Sequence, residues 1–190
     1  WVDALEKSEQ DKSVKVVMVT GKGRAFCAGG NVKNIEGSTR PEGRRPGGPR
    51  SGPFGGIITA SKNLKKPYIA AVNGAAIGGG MDMVSLTDIR LASESARFGT
   101  GYIRMANIPA LGGFFLLPRL VGVGNALDLL WTGRLMGSEE ALKMGYVQAI
   151  YSDSEFIEKA REFCLNLAKG PSVAINFTKQ MVYDALELES

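Results

Sequence analysis

Histidine is absent from this 190-residue chain, and the commonest general base and metal ligand goes with it. Ser-His-Asp and Cys-His nucleophile mechanisms are therefore excluded. Acid–base work must fall to Asp, Glu, Tyr, Lys, Cys or backbone amides. Cysteine is nearly absent as well. Cys27 and Cys164 are too few and too far apart for a thiolate metal cluster or a disulfide framework, so no metal site is expected and both are read as buried free thiols. No apolar run approaches the ~18 residues that mark a membrane span, and no secretory signal is visible. No run of Lys and Arg interleaved with aromatics marks a nucleic-acid surface. Neither a membrane nor a nucleic acid is an expected partner. The formal charge of +4 and pI of about 9.1 suit a phosphate-bearing ligand, and suit plain solubility equally well.

What is present reads as globular. Hydrophobic residues make up 44% and charged residues 22%, close to the average for a folded domain, and the length suits one domain over 1–190. The chain opens inside an amphipathic pattern (Trp1, Val2, Leu5), so a preceding piece is expected and the missing signal carries little weight. Val14–Thr20 is a β-branched run closed by Gly21 and predicts a buried strand. Tyr68–Asn73, Asp88–Ala92 and Val147–Tyr151 predict three more. Helical patterns cover Ile57–Leu64, Gly80–Leu86, Asn125–Trp131 and Glu139–Met144, with Ser138 a candidate N-cap for the last. Ser152 and Glu155 match a capping box opening a helix to about Lys169. Gly170 would end that helix and Pro171 open the next. Alternating strands and helices predict an α/β architecture. One stretch breaks the order: Gly37–Gly56 holds seven glycines, four prolines and four arginines and predicts a flexible loop. It reads either as a plain insertion or as a basic rim near a ligand's phosphates.

Two glycine-rich turns follow two of the predicted strands: Gly21–Gly30 (GKGRAFCAGG) and Gly74–Gly80 (GAAIGGG). Small residues let backbone N–H groups approach a ligand. The second turn also places a helix N-terminus there. Two such turns can aim one N–H each at a single oxygen, which makes an oxyanion hole. Tight helix–strand packing explains each turn, taken alone, about as well. The first is not a dinucleotide fingerprint, because Phe26 stands where the third glycine belongs.

Taken together, the segments resemble the enoyl-CoA hydratase/isomerase (crotonase) family. GRAFCAGGNVK (Gly23–Lys33) is similar to the family segment ending in Ala-Gly-x-Asp. KPYIAAVNGAAIGGGMDM (Lys66–Met83), DIRLASESARFG (Asp88–Gly99), IPALGGFFLLPRLVG (Ile108–Gly122) and TGRLMGSEEALKMGYV (Thr132–Val147) follow in family order. The resemblance covers roughly Val14 to Val147, with the family's outermost elements missing from both ends. It implies an α/β spiral of ββα units with C-terminal helices, assembled as a homotrimer or dimer of trimers, and an acyl-CoA thioester ligand. Coenzyme A is then part of the substrate, and no separate cofactor is expected. By motif position, Gly30 and Gly79 supply the oxyanion N–H groups. Arg24 and Lys33 fall where CoA phosphates are met, and Ala28, Asn31 and Val32 along the adenine and pantetheine path. For Arg24 and Lys33 the plain alternative is solvated surface charge.

The departures from the family pattern matter for the reaction. Hydratases of the family use two glutamates to hold and split water. The first position here is Asp82, shorter by one C–C bond of about 1.5 Å, and expected to be ionised by the nearby helix N-terminus. It could also serve only to start that helix. The second position is Tyr102, a poor base at neutral pH because its ordinary pKa is about 10. Some branches carry an aspartate after the proline equivalent to Pro109, but here Ala110 and Leu111 follow. The Ala-Gly-x-Asp aspartate is replaced by Asn31. The resemblance thus implies reversible hydration of a 2-enoyl-CoA, with Asp82 as acid/base and Tyr102 as its companion. The alternatives are double-bond isomerisation and CoA binding with weak or no catalysis. The cytoplasm, or an organelle matrix in a eukaryote, is the expected location.

Overall fold

Tyr68–Val72 (β3) is buried along its whole length, as a central strand of a parallel sheet covered on both faces must be. The computed structural model describes residues 1–29, 55–109 and 111–188. In it β3 lies between β1 (Val17–Thr20) and β5 (Ile89–Ser93), and β8 (Ala149–Tyr151) completes an all-parallel sheet in the order β1-β3-β5-β8. Side chains alternate between the faces. Ile69, Ala71 and Leu91 meet Phe156, Ala160 and Cys164 of a long helix, α7 (Phe156–Ala168). Ala70, Val72 and Ala92 face the other way, into the main core.

That core is closed by a second sheet. β2 (Ala25–Cys27), β4 (Ala75–Ile77) and β6 (Arg97–Gly99) run parallel, and β7 (Met136–Gly137) is antiparallel at the edge. Each pass of the chain lays one strand in the first sheet and the next in the second. β1 and β2 precede α2 (Gly55–Asn63), and β3 and β4 precede α3 (Gly79–Ser85). β5 and β6 precede a 3₁₀ turn (Tyr102–Met105) and α4 (Gly113–Val121). This is the expected spiral of ββα units. Ala70, Ala76, Ala92 and Ala96 let the sheets approach, and Phe26, Met81 and Phe98 fill the rest. α1 (Val2–Gln10) begins the described chain, and α5 (Val123–Thr132), α6 (Ser138–Lys143) and α8 (Ser172–Leu188) complete it. Among the described residues no helix is long and apolar enough to cross a membrane.

Two polar anchors tie the outer helices to β3. Lys66, which is buried, donates from Nζ to the carbonyls of Ser8, Glu9 and Asp11 at 2.5, 2.9 and 2.7 Å and so satisfies the end of α1. Asp88 accepts the Tyr68 N–H at 2.8 Å while pairing with Lys179 at 2.8 Å and accepting the Tyr183 hydroxyl at 2.9 Å, both from α8.

Several expectations are corrected. The strand predicted over 14–20 is Val17–Thr20 and only half-buried, because β1 lies at a sheet edge. β2, β4, β6 and β7 lie outside the four predicted strands; each is three residues or fewer. Ser138 does not cap α6. It is the helix's first residue, and its hydroxyl donates to the Glu94 carbonyl at 2.8 Å. Ser152 bonds the Glu155 carboxylate at 3.0 Å without reaching a helix N–H, and α7 starts only at Phe156. Cys27 is half-buried, whereas Cys164 is buried as expected. Of the predicted loop 37–56, Gly55 and Gly56 open α2; the remainder lies outside the described residues. The Lys66 anchor yields a stability prediction. Lys66→Met should lower the unfolding free energy by about 1–3 kcal/mol, the cost of losing charge-assisted hydrogen bonds to part-buried carbonyls. Urea denaturation with an unchanged slope checks it, and a loss under a few tenths would contradict it.

Candidate active site

The two glycine turns meet. Gly78, with φ of 56°, turns the chain from β4 into α3, and its N–H donates to Gly99 O at 2.8 Å. Gly79 is the first residue of α3. Its N–H has no acceptor within the helix and makes no hydrogen bond to another described residue. From the other turn, Gly29 (φ 90°) comes in so closely that a Cβ on it would stand 2.9 Å from Ile77 O and 3.7 Å from Gly79 N. The backbone of the first turn therefore flanks the free amide of the second. Gly30, Asn31, Val32 and Lys33 follow outside the described residues. Arg24 and Ala28 lie exposed on either side of β2.

Asp82 stands one turn further along α3, three residues from Gly79 and thus on the same side of the helix. It is 2% exposed. Tyr102, from the 3₁₀ turn after β6, donates its hydroxyl to Asp82 Oδ2 at 2.6 Å, and the Leu111 N–H reaches the same oxygen at 3.3 Å. α4 begins against the other oxygen: a Cβ on Gly113 would fall 2.2 Å from Asp82 Oδ1. Tyr102 Oη and Leu111 Cδ1 each stand 3.8 Å from the Cβ position of Gly79. Asp82, Tyr102, Gly79 and Leu111 thus converge, with α3 held behind them by Tyr146, whose hydroxyl donates to Met81 O at 3.2 Å.

Asp82 does more than start a helix, since its carboxylate is used across the fold. Its ionisation departs from expectation. Burial pushes the carboxyl above its ordinary value, while the Tyr102 hydroxyl and the Leu111 N–H pull it down, and burial wins. A raised carboxyl is better matched to taking a proton and returning it near neutral pH. Neither the Leu111 N–H nor the Gly113 backbone is marked by a side chain in the sequence. The available signal was Gly112-Gly113 ahead of an apolar run, a helix start at which something must pack against bare backbone.

Comparison with known proteins gives a consistent relationship. A family profile described as enoyl-CoA hydratase/isomerase matches residues 1–190. A short-chain-enoyl-CoA hydratase of Clostridium acetobutylicum is 34% identical over 183 residues, covering 95% of this chain and 68% of that protein. The structure of an enoyl-CoA hydratase from Bacillus anthracis superposes with a TM-score of 0.87 at 33% identity, over 97% of this chain and 70% of the other. A monofunctional enoyl CoA isomerase from M. smegmatis superposes with a TM-score of 0.80 at 30% identity, over 98% and 78%.

The burial of Asp82 has a consequence for stability that needs no ligand. Its pKa is raised in the folded state above the ordinary 3.8, so the ionised form costs stability at pH values above both. The cost fades as pH falls through the folded-state pKa and is gone below the unfolded one. Asp82→Asn should therefore unfold at a higher urea concentration than the parent at pH 7, with the gap closing on acidification toward pH 4. A gap that widens on acidification contradicts the assignment.

Proposed function

The chain belongs to the enoyl-CoA hydratase/isomerase family, and from that premise we propose that it hydrates a 2-enoyl-CoA reversibly, with Asp82 as proton carrier. The observation that carries the reading is the 2.6 Å Tyr102–Asp82 pair set one helical turn from the unused Gly79 N–H. The thioester oxygen would accept from Gly79, and from Gly30, as negative charge gathers on it. The N-terminus of α3 adds its dipole in the same sense. Water would add its oxygen at C3 and give a proton to Asp82, and Asp82 would return a proton to C2. The balance closes on the carboxylate it began with. Tyr102, by donating to Oδ2, fixes the carboxylate in place. Arg24 at the exposed end of the first turn, with Lys33, would meet the CoA phosphates. Ala28, Asn31 and Val32 would border the adenine and pantetheine. Coenzyme A enters as part of the substrate, without a separate cofactor.

A second reading has its own support. Position 102 carries a phenol and not a second carboxylate, and one carboxylate moving one proton between two carbons is an isomerase. The M. smegmatis likeness accords with that. For assembly we propose a homotrimer or dimer of trimers. The support is a stripe on α8, Val173, Phe177 and Met181, at four-residue spacing and 71%, 62% and 65% exposed. Light scattering should give a mass three or six times that of the chain.

A panel of enoyl-CoAs, followed by mass and by the absorbance of the conjugated thioester, separates the readings: water addition marks a hydratase, a double-bond shift an isomerase. Binding without either reaction leaves a CoA-binding protein. Asp82→Asn should abolish turnover and keep binding. Tyr102→Phe should lower turnover about tenfold, the value of a hydrogen bond to a charged group. Gly79→Pro should cost at least tenfold by deleting the amide donor. Full activity in Asp82→Asn alongside a large loss in Tyr102→Phe would remove Asp82 from the mechanism.

A further inference from the structure

Asn73 stands directly after β3, on the loop that leads to β4, and no part of the mechanism above uses it. Its side chain is bonded wholly to the other turn. Oδ1 accepts the Gly21 N–H at 2.9 Å and the Thr20 hydroxyl at 3.3 Å, while Nδ2 donates to Gly23 O at 2.8 Å. The two ends of one amide thus span the β1–β2 turn, holding the peptide group at its entry and the one that leads into Arg24. Only a side chain with an acceptor and a donor side by side can do this. The turn needs such a hold. Gly23 has φ of 80°, and a Cβ there would meet nothing within 4 Å, so side-chain packing does not fix it. The neighbouring contact acts in the same direction: Gly74 lies so close beneath the turn that a Cβ on it would fall 2.1 Å from Arg24 O.

We infer that Asn73 is a positioning residue for the nucleotide end of the ligand: its amide sets the Gly23–Arg24 peptide and thereby aims Arg24 at the CoA phosphates. This rests on the CoA reading of the first turn proposed above. It assigns to Asn73 a role separate from that of the acid–base pair, because its bonds end at Gly23, on the far side of β2 from Gly29 and Gly79. Loss of the amide should weaken ground-state and transition-state binding of the nucleotide alike, which raises KM and spares kcat.

The experiment compares two thioesters of one enoyl group, that of coenzyme A and that of pantetheine, which lacks the nucleotide. In Asn73→Ala, KM for the CoA thioester should rise roughly tenfold, the equivalent of one or two hydrogen bonds. Its kcat should stay within about twofold, and KM for the pantetheine thioester should not change. Should the alanine variant fold poorly, Asn73→Ser keeps a hydroxyl at this half-exposed position but cannot span both peptide groups. The same split is expected. An equal rise in KM for both thioesters, or no rise for either, overturns the inference. Arg24→Ala in parallel tells the two levels apart. If it leaves KM for the CoA thioester unchanged, the CoA reading of this turn fails. If it raises that KM while both Asn73 variants do not, the inference fails alone.

Discussion

Bare backbone pressed against bare backbone is the constraint on which the rest depends. A Cβ on Gly80 would fall 2.1 Å from Cys27 O, and one on Gly74 the same distance from Arg24 O. No side chain fits either gap. With even a methyl group at Gly80, α3 would have to move away from β2, and the Gly29 backbone would no longer lie beside the Gly79 amide. The small residues between the sheets serve the same end. Ala70, Ala76 and Ala92 bring the second sheet close enough for its short strands to carry the turns. The core is therefore shaped less to maximise buried area than to let main chain meet main chain at one place.

Two opposed influences act on the Asp82 carboxyl. Burial raises its pKa, and the Tyr102 hydroxyl and Leu111 N–H lower it. The bonds fix direction as well as charge: both donors sit on Oδ2, and the Gly113 backbone packs directly against Oδ1. A carboxylate one methylene shorter than glutamate has less freedom to swing. Here the shorter arm is met by bringing α4 to it.

How much of this was legible follows from the length of each signal. β3 is a consecutive apolar run, β5 is broken only by Arg90, and the four strands of the first sheet fall within a few residues of their predicted runs; β8, itself three residues long, ends the five-residue run Val147–Tyr151. β2, β4 and β6 span three residues each, too short for an alternation to register, and β2 and β4 lie inside the two glycine-rich segments, whose glycines read as turn. Asp82 and Tyr102 could be picked out because motif order marks their positions. Their hydrogen bond could not, since it depends on where the 3₁₀ turn docks. The Leu111 N–H is invisible in principle, being a group every residue but proline carries. The helix end at Asp82 favours ionisation, but burial, which only the packed fold supplies, acts the other way. Ser138 failed as a cap for a similar reason: Glu94 O, from the β5–β6 connection, was a better partner than its own helix.

Asn73 is followed by Gly74, the dipeptide in which a backbone nitrogen most readily attacks a side-chain amide and expels ammonia. Such ageing requires the amide carbon to swing onto the next nitrogen. An amide held on both sides, by Gly21 N–H at 2.9 Å and Gly23 O at 2.8 Å, is not at liberty to make that swing. The bonds that shape the turn thus also preserve its chemistry over the lifetime of the folded molecule. Were the turn to open and the reaction to occur, the product would carry a carboxylate that no longer donates to Gly23 O. The geometry that protects this residue would then be lost together with it.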